Sequence, residues 1–265
     1  MVPESCKILH RAAIWGARKE ILGIACERLL SFHVPFFLWK GADFAFSLYE
    51  DPVDRPMKDI DILVHEDYGG MASSLLASAG FKRLTPGPGL FTSGIIGETK
   101  LSKGGFLVEL HTHPLYHPCI LPGRIPPVSA LISPRKSGGF PAPEWPETAL
   151  YTLLHHADSP VLAPWQMMDV KLFSEKLNAS QWEKLSYLGV RSGWGNRIAH
   201  VLEMCSAAAP EKALDVLRHS LYKRVNPSGR GTVYALGKLR GWKRLSFAAS
   251  LFYRALTGRS PEREG

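Results

Sequence analysis

The chain has little cysteine: four residues in 265, Cys6, Cys26, Cys119 and Cys205, with no two in a Cys-x-x-Cys pair. This spacing indicates neither a zinc site nor a disulfide framework, and it fits a reducing compartment. The sequence also lacks an uninterrupted apolar run of about 18 residues, and its first residues contain no apolar signal-peptide core. These absences predict a soluble, cytoplasmic protein.

Acidic residues are scarce near the C-terminal end of the sequence. From Arg218 onward there are 11 Lys and Arg against two acids, whereas the remainder has 21 bases against 22 acids. Within this basic stretch, residues 232–256 have the pattern of a basic amphipathic helix. Such a helix either packs on its own domain with a solvated basic face or docks on a membrane surface or an acidic partner. No nucleic-acid-binding motif is present, so we predict no specific nucleic acid partner.

The first half of the chain alternates helical and strand patterns, and the 45% hydrophobic content of the whole chain can fill a core. The periodicity predicts helices over 8–33, 42–49 and 67–79. It predicts strands over 34–39, 59–64 and 81–84, and a hairpin of 94–101 with 106–111. A small mixed sheet covered by helices follows from these elements.

The second half begins with a change in composition. Nine of the 20 prolines lie between 112 and 146, which indicates a loop-rich connector that drapes over the site. Helical patterns then follow over 147–157, 164–177, 180–188, 193–209 and 211–223. We therefore predict an α+β fold with a small mixed-sheet lobe over 1–143 and an all-helical lobe over 144–265.

The strongest local signal is the pair Asp59 and Asp61 in a run of β-forming residues. Side chains alternate along a strand, so both carboxylates leave one face while Ile60 and Ile62 enter the core on the other. Two acids on one face repel each other unless a cation lies between them. Magnesium prefers one or two carboxylates together with substrate phosphates, which makes it the expected ion, with manganese as an alternative.

Upstream of this pair, Lys40-Gly41 separates an apolar strand from a helical segment. Glycine lets the backbone approach a ligand closely, and the helix N-terminus behind it favours an anion. The side chain of Lys40 adds a positive charge. A phosphate end at Lys40-Gly41 and a metal end at Asp59 and Asp61 together suit a metal-bound nucleoside triphosphate (NTP).

A third element follows: Phe106-Leu-Val-Glu109-Leu-His111 alternates, which puts Glu109 and His111 on one face. The sequence thereby resembles an uncharacterised nucleotidyltransferase family of the DNA polymerase beta-like superfamily. The resemblance covers roughly residues 34–175. It depends on three motifs in order, Lys40-Gly41, Arg55-x-x-x-Asp59-x-Asp61 and Glu109-x-His111.

The resemblance implies roles for further residues. It makes Glu109 the third carboxylate, on a strand beside the strand of Asp59 and Asp61, and it makes Arg55 a phosphate contact. Downstream, the His155-His156 pair and Trp165-x-x-x-Asp169 resemble positions of the family, which implies that they organise the second lobe or line an acceptor pocket. His111, which shares a face with Glu109, is a candidate to orient a ligand or is a satisfied core histidine.

These residues predict transfer of a nucleoside monophosphate from an NTP to an acceptor of unknown identity, with release of pyrophosphate. Asp59 and Asp61 would hold one magnesium ion, and Glu109 would help to hold a second ion or act as the general base. Two alternatives stay open. One is a non-catalytic binding or regulatory protein that keeps the fold, and the other is a peptide-tailoring transferase with a sugar-nucleotide donor.

Overall fold

In the computed structural model of the chain, the described residues are 4–84, 97–114, 125–131, 135–157 and 161–220. The predicted basic helix over 232–256 lies outside these residues. So do the end of the predicted helix over 211–223 and the beginning of the predicted strand over 94–101.

In the part of the chain that the structure describes, seven strands form two sheets. They are β1 (Phe36–Leu38), β2 (Asp59–Val64), β3 (Lys82–Arg83), β4 (Glu98–Lys103), β5 (Phe106–His111), β6 (Arg135–Ser137) and β7 (Phe140–Ala142). The larger sheet has the order β1-β2-β5-β4-β3. Only the β2–β5 pair within it is parallel, and the other three pairs are antiparallel. The predicted small mixed sheet is therefore confirmed.

Among the described residues, eight α-helices surround the larger sheet or follow it. They are α1 (Glu4–Ser31), α2 (Lys40–Ser47), α3 (Gly69–Ser78), α4 (Trp145–His156), α5 (Pro164–Lys176), α6 (Ala179–Ser192), α7 (Gly195–Met204) and α8 (Glu211–Arg218). The described chain after Ala142 contains helices and no strand, which confirms the predicted helical C-terminal region. No helix in the described ranges is long and apolar enough to cross a bilayer.

Side chains alternate between the two faces of the sheet along β1 and β2, and this alternation divides the core into two layers. On one side, Leu38, Ile60 and Ile62 pack against α1 and α3. On the other side, Trp39 and Leu63 belong to a core shared with the C-terminal helices. The face of the sheet that bears Asp59 and Asp61 is therefore the face toward the C-terminal helices. The boundary between lobes at 143/144, which falls between β7 and α4, stays a prediction.

Within the segment 112–146, the described residues 135–142 form a hairpin of β6 and β7. Its anchor is Asp43 of α2, a fully buried carboxylate paired with the guanidinium of Arg135. Arg135 also lies over the ring of Trp145, 3.8 Å from its centroid, and Ser137 donates a hydrogen bond to the carbonyl of Asp43. Contacts distant in sequence thus hold the hairpin over 135–142 in place, and the interpretation of 112–146 as a connector that drapes over the site stays a prediction.

Candidate active site

Strand β2 presents its two aspartates toward the helical part of the molecule. Ile60 and Ile62 are fully buried on the opposite face, as the alternation predicts. Asp61 is 4% exposed, whereas Asp59, at the start of the strand, is half-buried. The deeper carboxylate is therefore Asp61.

Strand β5 runs parallel to β2 and brings two more side chains to the same face. Asp61 is in register with Glu109, and His111 lies one pleat further along. The Nε2 atom of His111 is 2.8 Å from Oδ1 of Asp61 and 3.6 Å from Oε2 of Glu109. Adjacent parallel strands thus bring together residues that are about fifty positions apart in sequence.

Lys40 contributes a positive charge to this face from the first turn of α2. That helix begins at Lys40, two residues before the predicted start, so Lys40 and Gly41 belong to the helix. The backbone of Lys40 has a φ of 44°, a conformation that residues other than glycine rarely adopt. Its Nζ lies 3.2 Å from Oδ1 of Asp61, which makes Lys40 the counter-ion of that carboxylate.

Strand β4 adds a glutamate and a lysine that the sequence analysis missed. Lys100 pairs with Glu109 in the antiparallel register, and its Nζ lies 3.0 Å from Oε1 of Glu109 and 3.1 Å from Oε1 of Glu98. The sequence contains a signal for this placement. Glu98 and Lys100 alternate with apolar or small residues in the predicted hairpin, which puts both on one face of the strand. Their register with Glu109 and His111 places them on the face of the site.

The carboxylates of the site differ in pKa. Burial would raise the pKa of Asp61, but Lys40 and His111 outweigh that effect and hold it well below its usual range. Burial, and then the charge of Asp61, raises the pKa of Asp59. Burial, followed by the charges of Glu98 and Asp61, likewise raises the pKa of Glu109, although Lys100 opposes this. Asp61 is thus the carboxylate held most firmly in its charged form.

The donor atoms on this face fit a divalent ion. Asp61, Glu109 and His111 each offer a ligand atom, and these atoms lie within 4.8 Å of one another. Carboxylate oxygens suit magnesium or manganese, whereas an imidazole nitrogen is a ligand more typical of transition metals than of magnesium. The predicted set was Asp59, Asp61 and Glu109. The structure groups His111 with Asp61 and Glu109, whereas Asp59, two residues before Asp61 on the same strand face, is not part of this group. A metal role for Asp59 stays a prediction.

A cleft of about 300 Å³ lies between this face and the C-terminal helices. Both parts of the molecule contribute to its walls. From the sheet part come Trp39, Lys40, Gly41, Arg55, Asp59 and Asp61, and from the helical part come Tyr151, Thr152, His155, His156, Trp165, Gln166 and Asp169. All of the predicted site residues except Glu109 and His111 line this cleft, and those two lie beside Asp61 in β5.

Arg55 is held between the two parts of the molecule. Its Nη2 lies 2.7 Å from Oδ2 of Asp169, a residue that is 1% exposed, and Tyr49 donates a 2.9 Å hydrogen bond to Oδ1 of the same carboxylate. The guanidinium also packs on Gly41, where an added Cβ would lie 2.4 Å from Nη1 of Arg55. Asp169 therefore fixes Arg55 beside Gly41, and the phosphate contact predicted for Arg55 stays a prediction.

The predicted pair His155 and His156 occupies the end of α4, where the two side chains differ. His155 is exposed at the cleft, whereas His156 is 5% exposed. Neither ring nitrogen of His156 has a hydrogen-bond partner among the described residues. Burial, together with the nearby charges of His155, Arg55 and Lys40, lowers its pKa to about 3. His156 is therefore an uncharged imidazole at neutral pH.

This lowered pKa makes His156 a source of acid sensitivity. The unfolded chain takes up a proton on this histidine near pH 6.5, whereas the folded chain takes it up only near pH 3. Stability is therefore lost as the pH falls through this window. We expect His156→Gln to reduce the loss of unfolding free energy between about pH 7.5 and about pH 5 by about 2 kcal/mol.

Urea denaturation at both pH values measures this difference. His200, an exposed histidine of α7 outside the cleft, supplies the control variant His200→Gln, which we expect to lose stability as the unaltered protein does. An equal acid-induced loss in His156→Gln and the unaltered protein would contradict the assignment.

Comparisons with known proteins give one family match. No curated protein matches the chain significantly in sequence. One similar solved structure is the solution structure of the antibiotic-resistance factor ANT(2'')-Ia, with 14% identity, a TM-score of 0.47, and coverage of 71% of this chain and 97% of that one. The family model described as uncharacterised nucleotidyltransferase matches residues 21–210. That match spans most of the chain and confirms the resemblance, so the protein belongs to this nucleotidyltransferase family.

Proposed function

We propose that the protein is a divalent-metal-dependent enzyme that transfers a nucleoside monophosphate from an NTP to an acceptor. The acceptor group is a hydroxyl or phosphate of a small molecule, a peptide or a protein. In this reaction the acceptor oxygen forms a bond to the α-phosphorus, and the bond from that phosphorus to the bridging oxygen breaks. Pyrophosphate leaves, and the proton of an acceptor hydroxyl passes to a base.

The observation that carries the proposal is the ion pair of Lys40 with Asp61 of β2, beside the carboxylate of Glu109 in β5. A lysine at the first turn of a helix suits a phosphate group, and clustered carboxylates suit the cation that accompanies it. The cleft beside them is lined by both the sheet part and the helical part of the molecule. A metal-bound triphosphate is the ligand that uses both kinds of group at once.

In the proposed reaction, the acidic residues would bind the metal ion and Lys40 would bind a phosphate. Asp59, Asp61 and Glu109, with His111 beside them, would hold magnesium or manganese. When bound, such an ion neutralises charge on the phosphates and lowers the pKa of a bound hydroxyl. Lys40 would transfer its ion pair from Asp61 to a phosphate oxygen. Glu109 would either complete the metal site or accept the proton of the acceptor.

Calorimetry with non-hydrolysable ATP, GTP, CTP and UTP analogues tests the proposal. Each analogue is titrated with and without magnesium into the unaltered protein and into the double variant Asp59→Asn/Asp61→Asn. We expect magnesium-dependent binding of at least one analogue, and we expect the double variant to abolish it. Failure of all four to bind, or equal binding by the double variant, would overturn the proposal and favour a non-catalytic binding protein.

Lys100 provides a separate test of the metal site, because its ammonium group neutralises Glu109 and Glu98 in the absence of an ion. A divalent ion that binds Glu109 must displace this charge. We expect Lys100→Met to lower the stability of the metal-free protein and to tighten manganese binding about tenfold, since a competing cation is gone. Manganese titration followed by electron spin resonance measures the affinity.

The matched control for this variant is Lys212→Met, because Lys212 is an exposed lysine of α8. It should leave manganese affinity unchanged. Weaker manganese binding by Lys100→Met than by the control would show that Lys100 supports the metal site instead of competing for it.

A further inference from the structure

The cleft contains two buried side chains whose polar atoms lack partners among the described residues. One is Trp39, which is 2% exposed and has an unpaired Nε1, and the other is His156, with both ring nitrogens unpaired. Both residues line the cleft. A buried polar group without a hydrogen bond costs about 1–3 kcal/mol, so such groups are rare and call for an explanation. Two of them in one cleft indicate that a ligand supplies the partners.

The chemistry of the two side chains restricts that ligand. An uncharged imidazole offers one donor and one acceptor, and an indole offers one donor. Such uncharged groups suit an uncharged polar part of a ligand. A phosphate group is better bound by a cation such as Lys40. Trp39 also packs edge-on against Tyr151, with ring centroids 5.2 Å apart, and Trp165 lines the same cleft. The surroundings of the unpaired atoms are therefore aromatic, which suits a flat heterocycle.

The position of the two side chains links them to the phosphate end. Trp39 directly precedes Lys40, and the charges of Lys40 and Arg55 act on His156. One molecule in the cleft can therefore meet Lys40 with an anionic group and His156 with an uncharged one. Among ligands that combine a triphosphate with an uncharged heterocycle, nucleotides supply donors and acceptors at both the base and the sugar.

We infer that Trp39 and His156 form the subsite for the nucleoside of the bound triphosphate, with His156 as a specificity-determining residue. This inference rests on the proposed function, because it assumes that the phosphates lie near Lys40. Within the subsite, the Nε1–H of Trp39 donates to the ligand, and one ring nitrogen of His156 forms a hydrogen bond with it. The phosphate end would then supply affinity common to every NTP, and this subsite would supply the preference among them.

The test compares NTP analogues with inorganic tripolyphosphate, which has the phosphates but no nucleoside. Both are titrated by calorimetry in the presence of magnesium. The unaltered protein should bind its preferred NTP analogue at least about tenfold more tightly than tripolyphosphate. His156→Phe should weaken the analogue about tenfold and leave tripolyphosphate unchanged. His156→Gln, which keeps a donor and an acceptor, should recover part of the loss, and the control His200→Phe should behave as the unaltered protein.

The outcomes separate this inference from the proposed function. If tripolyphosphate and all four analogues bind the unaltered protein equally, the nucleoside subsite is overturned while the phosphate and metal site stands. Unchanged analogue binding by His156→Phe would also overturn the subsite, because the ring nitrogens would then be satisfied by buried water. Absence of binding by tripolyphosphate and every analogue would overturn the proposed function and the subsite together.

Discussion

Asp61→Asn is expected to abolish magnesium-dependent triphosphate binding and to reduce nucleotidyl transfer by at least about 100-fold. Replacement of groups that merely support metal ligands already costs about 10–100-fold, and Asp61 is proposed as a ligand itself. Asparagine keeps the shape of the side chain but removes the charge that Lys40 and His111 now face at 3.2 and 2.8 Å. The loss should therefore come from charge and not from packing.

Binding is measured by calorimetry with the preferred analogue, and folding is verified by circular dichroism. The matched control is Asp67→Asn, because Asp67 follows the same strand closely but its side chain is 83% exposed. This control should bind as the unaltered protein does. If Asp61→Asn is folded and binds the magnesium triphosphate normally, Asp61 has no part in the site.

Asp169→Ala is expected to lower the free energy of unfolding by about 3–5 kcal/mol. Removal of one partner of a buried ion pair leaves the other charge without compensation, and that cost exceeds the net worth of the pair. Here the guanidinium of Arg55, only 10% exposed, and the hydroxyl of Tyr49 would both lose their acceptor. Because Asp169 lies in α5 and Arg55 precedes β2, the variant should also loosen the helical part against the sheet.

Urea denaturation measures this effect, and the exposed pair Arg11–Asp54 supplies its control. Those side chains are 3.3 Å apart but 51% and 65% exposed, so Asp54→Ala should cost less than about 1 kcal/mol. The double variant Arg55→Met/Asp169→Leu should recover much of the stability that Asp169→Ala loses. If Asp169→Ala lowers the free energy of unfolding as little as Asp54→Ala does, the buried ion pair of Arg55 and Asp169 does not hold the two parts of the molecule together.

Much of the sheet could be predicted because its signals are local. Alternation along Asp59–Val64 and Phe106–His111 placed the acids on one face before any pairing was known. Helix periodicity in the second half likewise depends on neighbours within a few turns. The prediction that β2 and β5 lie side by side needed the resemblance to a family, because nothing local specifies which strands pair.

The remaining features depend on contacts between residues far apart in sequence. Arg55 and Asp169 are separated by 114 positions, so no periodicity connects them. The hairpin over 135–142 lies in a proline-rich segment and is held by Asp43, 92 positions before Arg135. The unpaired nitrogens of His156 became apparent only once the surrounding side chains were placed. The sequence identified the chemical groups, and the fold decided their partners.

The most direct test of the central claim is a crystal structure with manganese and a non-hydrolysable triphosphate analogue, with manganese located by anomalous scattering. The account predicts an anomalous peak coordinated by Asp61 together with phosphate oxygens, and Lys40 bonded to a phosphate instead of to Asp61. A bound analogue with manganese away from Asp59, Asp61 and Glu109 would contradict the claim that these carboxylates hold the metal-bound triphosphate.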